Sequence, residues 1–172
     1  QRFVDPWAPD LGVSLSFYVD GLSLVFALLI CGIGTLIVIY AGAYLKGHAN
    51  LGRFPGFILS FMASMLGLVL ADNIITLFIF WVLTSATSFL LIGFSHRDSA
   101  SRRSAVQALV VTGGGGLSLL AGLLLLSSMA GSMELSVILA SPEVLQNHAL
   151  YLPALILVLG GAFSKSAQVP LH

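Results

Sequence analysis

The chain has 172 residues, 58% of them apolar and only 8% charged, with seven basic and seven acidic side chains and a mean hydropathy of +1.02. A soluble domain carries about 45–50% apolar and ~25% charged residues, so these few charges cannot clothe a water-facing surface, and the apolar surface must turn toward lipid. Zero net charge gives no reason to expect nucleic acid, and a lone Cys31 within an apolar run excludes a disulfide framework and falls short of any zinc pattern.

Residues 1–19 read as a polar, aromatic-containing lead-in, without the basic and apolar regions of a signal peptide. A bilayer core of roughly 30 Å takes about 20 helical residues. Five segments reach that length: 22–44, opened by Asp20 and Gly21; 54–71; 73–94; 104–128; and a fifth from 150 that is still apolar at Lys165 and runs to 172. Residues 129–149 form the longest loop, with a short helix expected over 141–146. The apolar runs are unbroken, without the ~10-residue alternating segments of transmembrane strands, which excludes a barrel. The expected fold is therefore all-α, a polytopic transmembrane helix bundle of about five spans in one domain. The chain starts without Met and stops inside its last apolar segment, so it reads as a fragment of a longer protein, cut at both ends.

Charge placement orients the spans. Lys46 and Arg53 lie between the first two, and Arg97, Arg102 and Arg103 between the third and fourth. The other side carries Arg2 against Asp5, Asp10 and Asp20, then Asp72, Glu134 and Glu143. Basic residues gather in cytoplasmic loops. The expectation is a multi-pass protein of a prokaryotic cell membrane, with its amino end outside and loops 45–53 and 95–103 cytoplasmic.

The fifth span holds Lys165, about 22 Å along the helix at 1.5 Å per residue. A lysine at that depth is costly and normally faces a polar interior or a water-filled path, where desolvation works against the ammonium and suits it to proton exchange. Snorkelling to the interface is the other reading. Ser164, Ser166 and Gln168 flank it. Gly160, Gly161 and Pro170 bracket it and predict a broken helix, a device tolerated where backbone lines a cavity; the alternative is a plain proline kink.

In the third span Trp81, Thr84, Ser85 and Ser88 share one helical face. Hydroxyls on a stripe hydrogen-bond across to another helix or hold water, or simply pack. The fourth span opens with Gln107 and Thr112, followed by Gly113, Gly114, Gly115 and Gly116, a run that allows close helix approach or exposes backbone to a hydrated channel. No Gly-Lys-Ser/Thr follows these glycines, so they are not a phosphate loop. His48, His96, His148 and His172 have no metal-ligand spacing, and no Ser–His–Asp set converges.

The stretches YVDGLSLVFALLICGIGTLIVIYA, RFPGFILSFMASMLGLVLADNIITLFIFW, TSFLLIGF and GGAFSKSAQVPLH resemble the antiporter-like proton-translocating membrane subunits of respiratory complex I and of Mrp-type multisubunit Na⁺/H⁺ antiporters. FALLICGIGTL and LTSATSFLLIGF are most similar to the A subunits of the Mrp type, and the resemblance runs from Phe17 to His172. It implies that Lys165 is the essential proton-passing lysine of the family's broken seventh helix. Ser164, Ser166, Gln168, His172, Trp81, Thr84, Ser85 and Ser88 would be a supporting polar path, and Asp72 and Asn73 the turn before the family's fifth helix. The family places a glutamate directly after the tryptophan of that helix; here the residue is Val82, and the acidic partner is missing.

The resemblance thus implies a proton-translocating antiporter component that is not an enzyme, needs no cofactor or metal, and works with other membrane subunits on H⁺ and Na⁺. Its alternatives are a proton-pumping subunit of a respiratory NADH or hydrogenase-type complex, and a non-transporting copy in which Val82 has ended coupling, unless the rest of a longer chain supplies the carboxylate.

Overall fold

The computed structural model describes residues 1–8, 13–46, 51–95, 97–140 and 142–170. Five long helices form the bundle: α1 (Gly21–Tyr44), α2 (Phe54–Leu70), α3 (Ile74–Ile92), α4 (Ser99–Ala130) and, after two single-turn helices α5 (Leu135–Leu139) and α6 (Pro142–Gln146), α7 (Tyr151–Lys165). Three of them, α1, α3 and α4, are long and apolar enough to cross a membrane, while α2 and α7 are shorter apolar helices. α1 lies on α2, α2 on α3, α3 on α4, and α4 on α7.

The buried and exposed sets are the reverse of a soluble core. Ser64, Thr76, Thr84, Ser85, Thr87, Ser127 and Ser164 are buried, whereas Leu22, Leu28, Leu36, Ile39, Val110 and Leu117 are exposed. Lipid offers no hydrophobic incentive to hide leucine, so helices meet through small and hydroxyl-bearing residues. The α4–α7 seam shows this most directly. A Cβ on Gly122 would stand 2.8 Å from the Ala154 carbonyl oxygen and 2.8 Å from the Val158 amide nitrogen, and one on Gly161 would stand 2.6 Å from Leu119 Cβ. Gly113 and Gly114 instead face open space, with nothing within 4 Å. Ile74, Leu119, Leu123, Ile138 and Leu145 make the small apolar core beside this seam.

Caps set the ends. Asp20 and Ser23 form a reciprocal capping box at the start of α1. Asp98 accepts from the amides of Ala100 at 3.2 Å and Ser101 at 3.1 Å, so α4 begins five residues before the expected 104. Arg102 and Arg103 thereby belong to its opening turns and not to a loop. Gly131 ends α4 in the left-handed region at φ 68°.

The lead-in is more ordered than its composition suggests. β1 (Arg2–Ala8) pairs antiparallel with β2 (Val13–Tyr18), Phe3 opposite Phe17 and Val4 opposite Ser16. Pro6 is compatible with a two-stranded sheet, where both strands are edges. β2 alternates as a strand should, but its serines are the buried face: Ser14 and Ser16 point inward and Val13, Leu15 and Phe17 are only half-buried. The Asp72 amide donates to the Ser16 carbonyl at 2.9 Å, joining the sheet to the α2–α3 turn.

Candidate functional site

Lys165 closes α7. The Ser166 amide donates to the Ala162 carbonyl and the Gln168 amide to the Phe163 carbonyl at 3.0 Å, with Ala167 between them at φ 51°, a Schellman-type ending. The helix therefore stops at Lys165. Gly160 and Gly161 stay helical and serve the seam with α4, so the expected break falls after them.

From that end the Lys165 ammonium reaches α3. Nζ donates to Thr84 Oγ1 at 2.8 Å and to Ser85 Oγ at 3.0 Å, and lies 5.3 Å from the Trp81 ring centroid, within cation–π range. Both hydroxyls donate in turn to the Trp81 carbonyl, at 2.8 and 3.2 Å, so their lone pairs are left for the lysine. Thr84 is fully buried and Ser85 is 5% exposed. Ser88, one turn on, donates to the Thr84 carbonyl at 2.6 Å. The Trp81 indole N–H is buried and has no acceptor among the described residues; it stands against Gly116, whose Cβ would lie 3.1 Å from Nε1.

A cavity of about 390 Å³ opens beside the amine, lined on its polar side by Ser85, Ser88, Ser104, Gln107, Thr112 and Lys165. Ser88 and Ser104 lie nearer the bundle end that carries Arg53 and Arg102 than Lys165 does, so the cavity leads from mid-helix toward that end. Ser104, read in sequence only as the start of a span, joins the polar lining through its place on α4.

The other expected site residues divide. Ser164 is buried, its hydroxyl turned to the Gly161 carbonyl at 2.7 Å, and it meets the cavity wall. Ser166 and Gln168 are exposed, and Ser166 bonds back to Ala162. His172 lies outside the described residues, as do His48, His96 and Asp10. Val82 is 47% exposed. Among the described residues no acidic side chain lies within α1, α2, α3, α4 or α7, and no group of three or more His, Cys, Asp or Glu residues is placed to hold a metal.

Asp72 and Asn73 do more than turn the chain. Asp72 accepts from the Ser136 amide at 2.8 Å and its hydroxyl at 2.9 Å, and pairs with Arg2 Nε at 3.1 Å. Arg2 Nη2 also meets Glu134 at 2.8 Å. Glu134 accepts from Ser14 at 2.7 Å, Ser16 at 2.6 Å and Asn73 Nδ2 at 3.2 Å, while Asn73 Oδ1 caps α3 through the Ile75 amide at 2.9 Å. Partial burial works to raise the Glu134 carboxyl, but hydrogen bonds from Ser16, Ser14, Asn73 and Arg2 together outweigh it and hold the group below its ordinary value. Sequence reading missed this latch. Its side-chain partners run from Ser14 and Asn73, 59 residues apart, to Arg2 and Glu134, the most distant pair, beyond any local signal.

The family described as NADH:quinone oxidoreductase/Mrp antiporter, TM, matches residues 71–172, and that described as NADH-Ubiquinone oxidoreductase (complex I), chain 5 N-terminus, matches 7–55. Over 166 residues, 96% of the chain, it is 46% identical to the A1 subunit of a Na(+)/H(+) antiporter of Staphylococcus haemolyticus, covering 21% of that protein. It is 45% identical over 166 residues to the A/B subunit of a probable K(+)/H(+) antiporter of Rhizobium meliloti, covering 17% of it. Among solved structures, the Mrp complex from Dietzia sp. DQ12-45-1b matches with TM-score 0.90 and 37% identity, over 99% of this chain and 19% of that one. The chain thus spans about a fifth of the length of the relatives it matches.

Proposed function

The chain belongs to the NADH:quinone oxidoreductase/Mrp antiporter transmembrane family, and from that premise we propose that it is part of a proton-translocating subunit of a multisubunit Na⁺/H⁺ antiporter, with Lys165 as the proton relay. The observation that carries this reading is the Lys165 amine at the end of α7, held by Thr84 and Ser85 beside a cavity lined with Ser88, Ser104, Gln107 and Thr112. A membrane-buried amine is rare and costly, and its ordinary use is ion or proton passage. The relatives' names favour an antiporter over a respiratory pump and point to a monovalent cation, Na⁺ or K⁺, as the exchanged ion.

In this reading the cavity admits water and protons from the bundle end bearing Lys46, Arg53, Arg97, Arg102 and Arg103. The basic-inside bias makes that end cytoplasmic and places the β1–β2 sheet outside the cell. Other membrane subunits complete the cation path. The test is proton flux in vesicles holding the whole complex: Lys165→Ala should abolish exchange while the complex still assembles. Wild-type flux in that variant would sink the relay.

A second reading is supported by the lack of any acidic side chain in the described spanning helices: the site is intact but uncoupled, because Val82 stands where the family resemblance puts a carboxylate.

A further inference from the structure

A separate cavity of about 350 Å³ lies between α2, α3 and α4 at the bundle end away from the sheet. Its floor and walls are apolar, with Phe57, Phe89, Leu90 and Val106, while Arg53 and Arg102 stand among its lining residues. Phe94, also in the lining, packs edge-to-face on Phe54 with ring centroids 5.6 Å apart. Arg53 precedes α2 and Arg102 sits in the first turn of α4, whereas Phe89 and Val106 lie roughly 5–10 Å deeper at 1.5 Å per residue. Among the described residues no carboxylate lines the cavity. The nearby Asp98 is committed to capping α4 and lies close enough to Arg102 to feel its charge, and α2 opens with no side-chain cap.

We propose that this cavity binds an anionic phospholipid, its phosphate held by Arg53 and Arg102 and the upper part of an acyl chain lying against Phe57, Phe89, Leu90 and Val106. Guanidinium groups present planar donor forks that fit phosphate, and basic pockets between transmembrane helices on the basic side suit anionic head groups. A lipid satisfies both halves of the site at once. Free phosphate would leave the aromatic wall wet, and a zwitterionic lipid would set a choline against the arginines. The site shares no residue with the Lys165 cavity, so it stands whether or not the proton relay does.

The experiment uses the whole complex in vesicles of equal dioleoylphosphatidylglycerol and dioleoylphosphatidylcholine, followed by gentle extraction and mass spectrometry of retained lipid. The wild type should retain phosphatidylglycerol in preference. Arg53→Gln with Arg102→Gln should lower that preference roughly tenfold, and Arg53→Lys with Arg102→Lys should keep most of it, which separates lost charge from lost fold. Val106→Trp, which fills the cavity and spares both arginines, should lose phosphatidylglycerol as well. Wild-type retention in the double glutamine variant overturns the proposal. So does full retention in Val106→Trp, which would reduce the site to rim charge, or loss of a neighbouring protein with lipid unchanged, which would give the cavity to that protein.

Discussion

Lys165 Nζ and Thr84 Oγ1 meet at 2.8 Å although 81 residues separate them, because α7 ends level with the middle of α3. The threonine hydrogen is already given to the Trp81 carbonyl, so Oγ1 can only accept from the lysine. Thr84→Val keeps the shape and removes the acceptor. Hydrogen bonds to charged groups are worth about 1.5–3 kcal/mol, so proton flux should fall roughly tenfold or more, and Thr84→Ser should restore most of it. Equal flux in valine and serine variants would leave the hydroxyl without a role.

The four consecutive glycines should behave as two pairs. Gly113 and Gly114 face open space, so alanine there should cost nothing and gain up to about 1 kcal/mol of helix propensity. Gly115 packs against Ser164, and Gly116 has the Trp81 indole 3.1 Å from where a Cβ would stand. Alanine at Gly115, or at Gly122 against the Ala154 and Val158 backbone, should lower the thermal midpoint of the complex, at a cost of about 1–3 kcal/mol. A uniform response across all four positions would contradict this seam.

The Glu134 latch makes an acid-sensitive prediction. Its carboxyl is held below its ordinary value of 4.5 in the folded chain, so the stability it lends is fully present above 4.5 and is lost as pH falls through the lower, folded value. Amide exchange at Asp72, which bonds the Ser16 carbonyl, should accelerate over that acid window, and Glu134→Gln should show fast exchange already at neutral pH. Exchange at Asp72 that ignores both changes would mean the sheet docks without the carboxylate.

Val82→Glu tests coupling. Under the uncoupled reading proposed for Val82, the variant should transport protons faster than the wild type, and only while Lys165 is present. Flux that stays level, or rises equally in Val82→Glu with Lys165→Ala, would dismiss the pairing.

The long helices were legible because unbroken apolar runs of bilayer length have few other folded solutions, and the Thr84 and Ser85 stripe was legible because helical spacing puts neighbours on one face. Lys165 stood out for its cost. What sequence hid was long-range or inverted. Ser14 and Ser16 alternate correctly for a strand, but bury their polar face, so the pattern reads as loop. Arg2, Glu134 and Ser136 come together only through the tertiary fold. Gly160 and Gly161 looked like a helix breaker, yet close packing on Leu119 and Gly115 keeps them helical, and the ending waits for the left-handed Ala167.

The latch gathers much of the long-range polar bonding at one end of the bundle. Arg2, Ser14, Ser16, Asp72, Asn73, Glu134 and Ser136 clamp the root of α3 and the exit of α4 to the sheet. Cavities of about 350 Å³ and 390 Å³ lie toward the other end, and one of about 410 Å³ lies at the sheet end beside Tyr18, Asp20 and Asp72. α3 is held at its root by the side-chain bonds of Asn73 and, just beyond its far end, by Phe94 on Phe54, with Thr84 and Ser85 at mid-span. The Lys165 contacts at Thr84 and Ser85 therefore sit between a polar anchor at the sheet end and an aromatic one beyond the far end of α3.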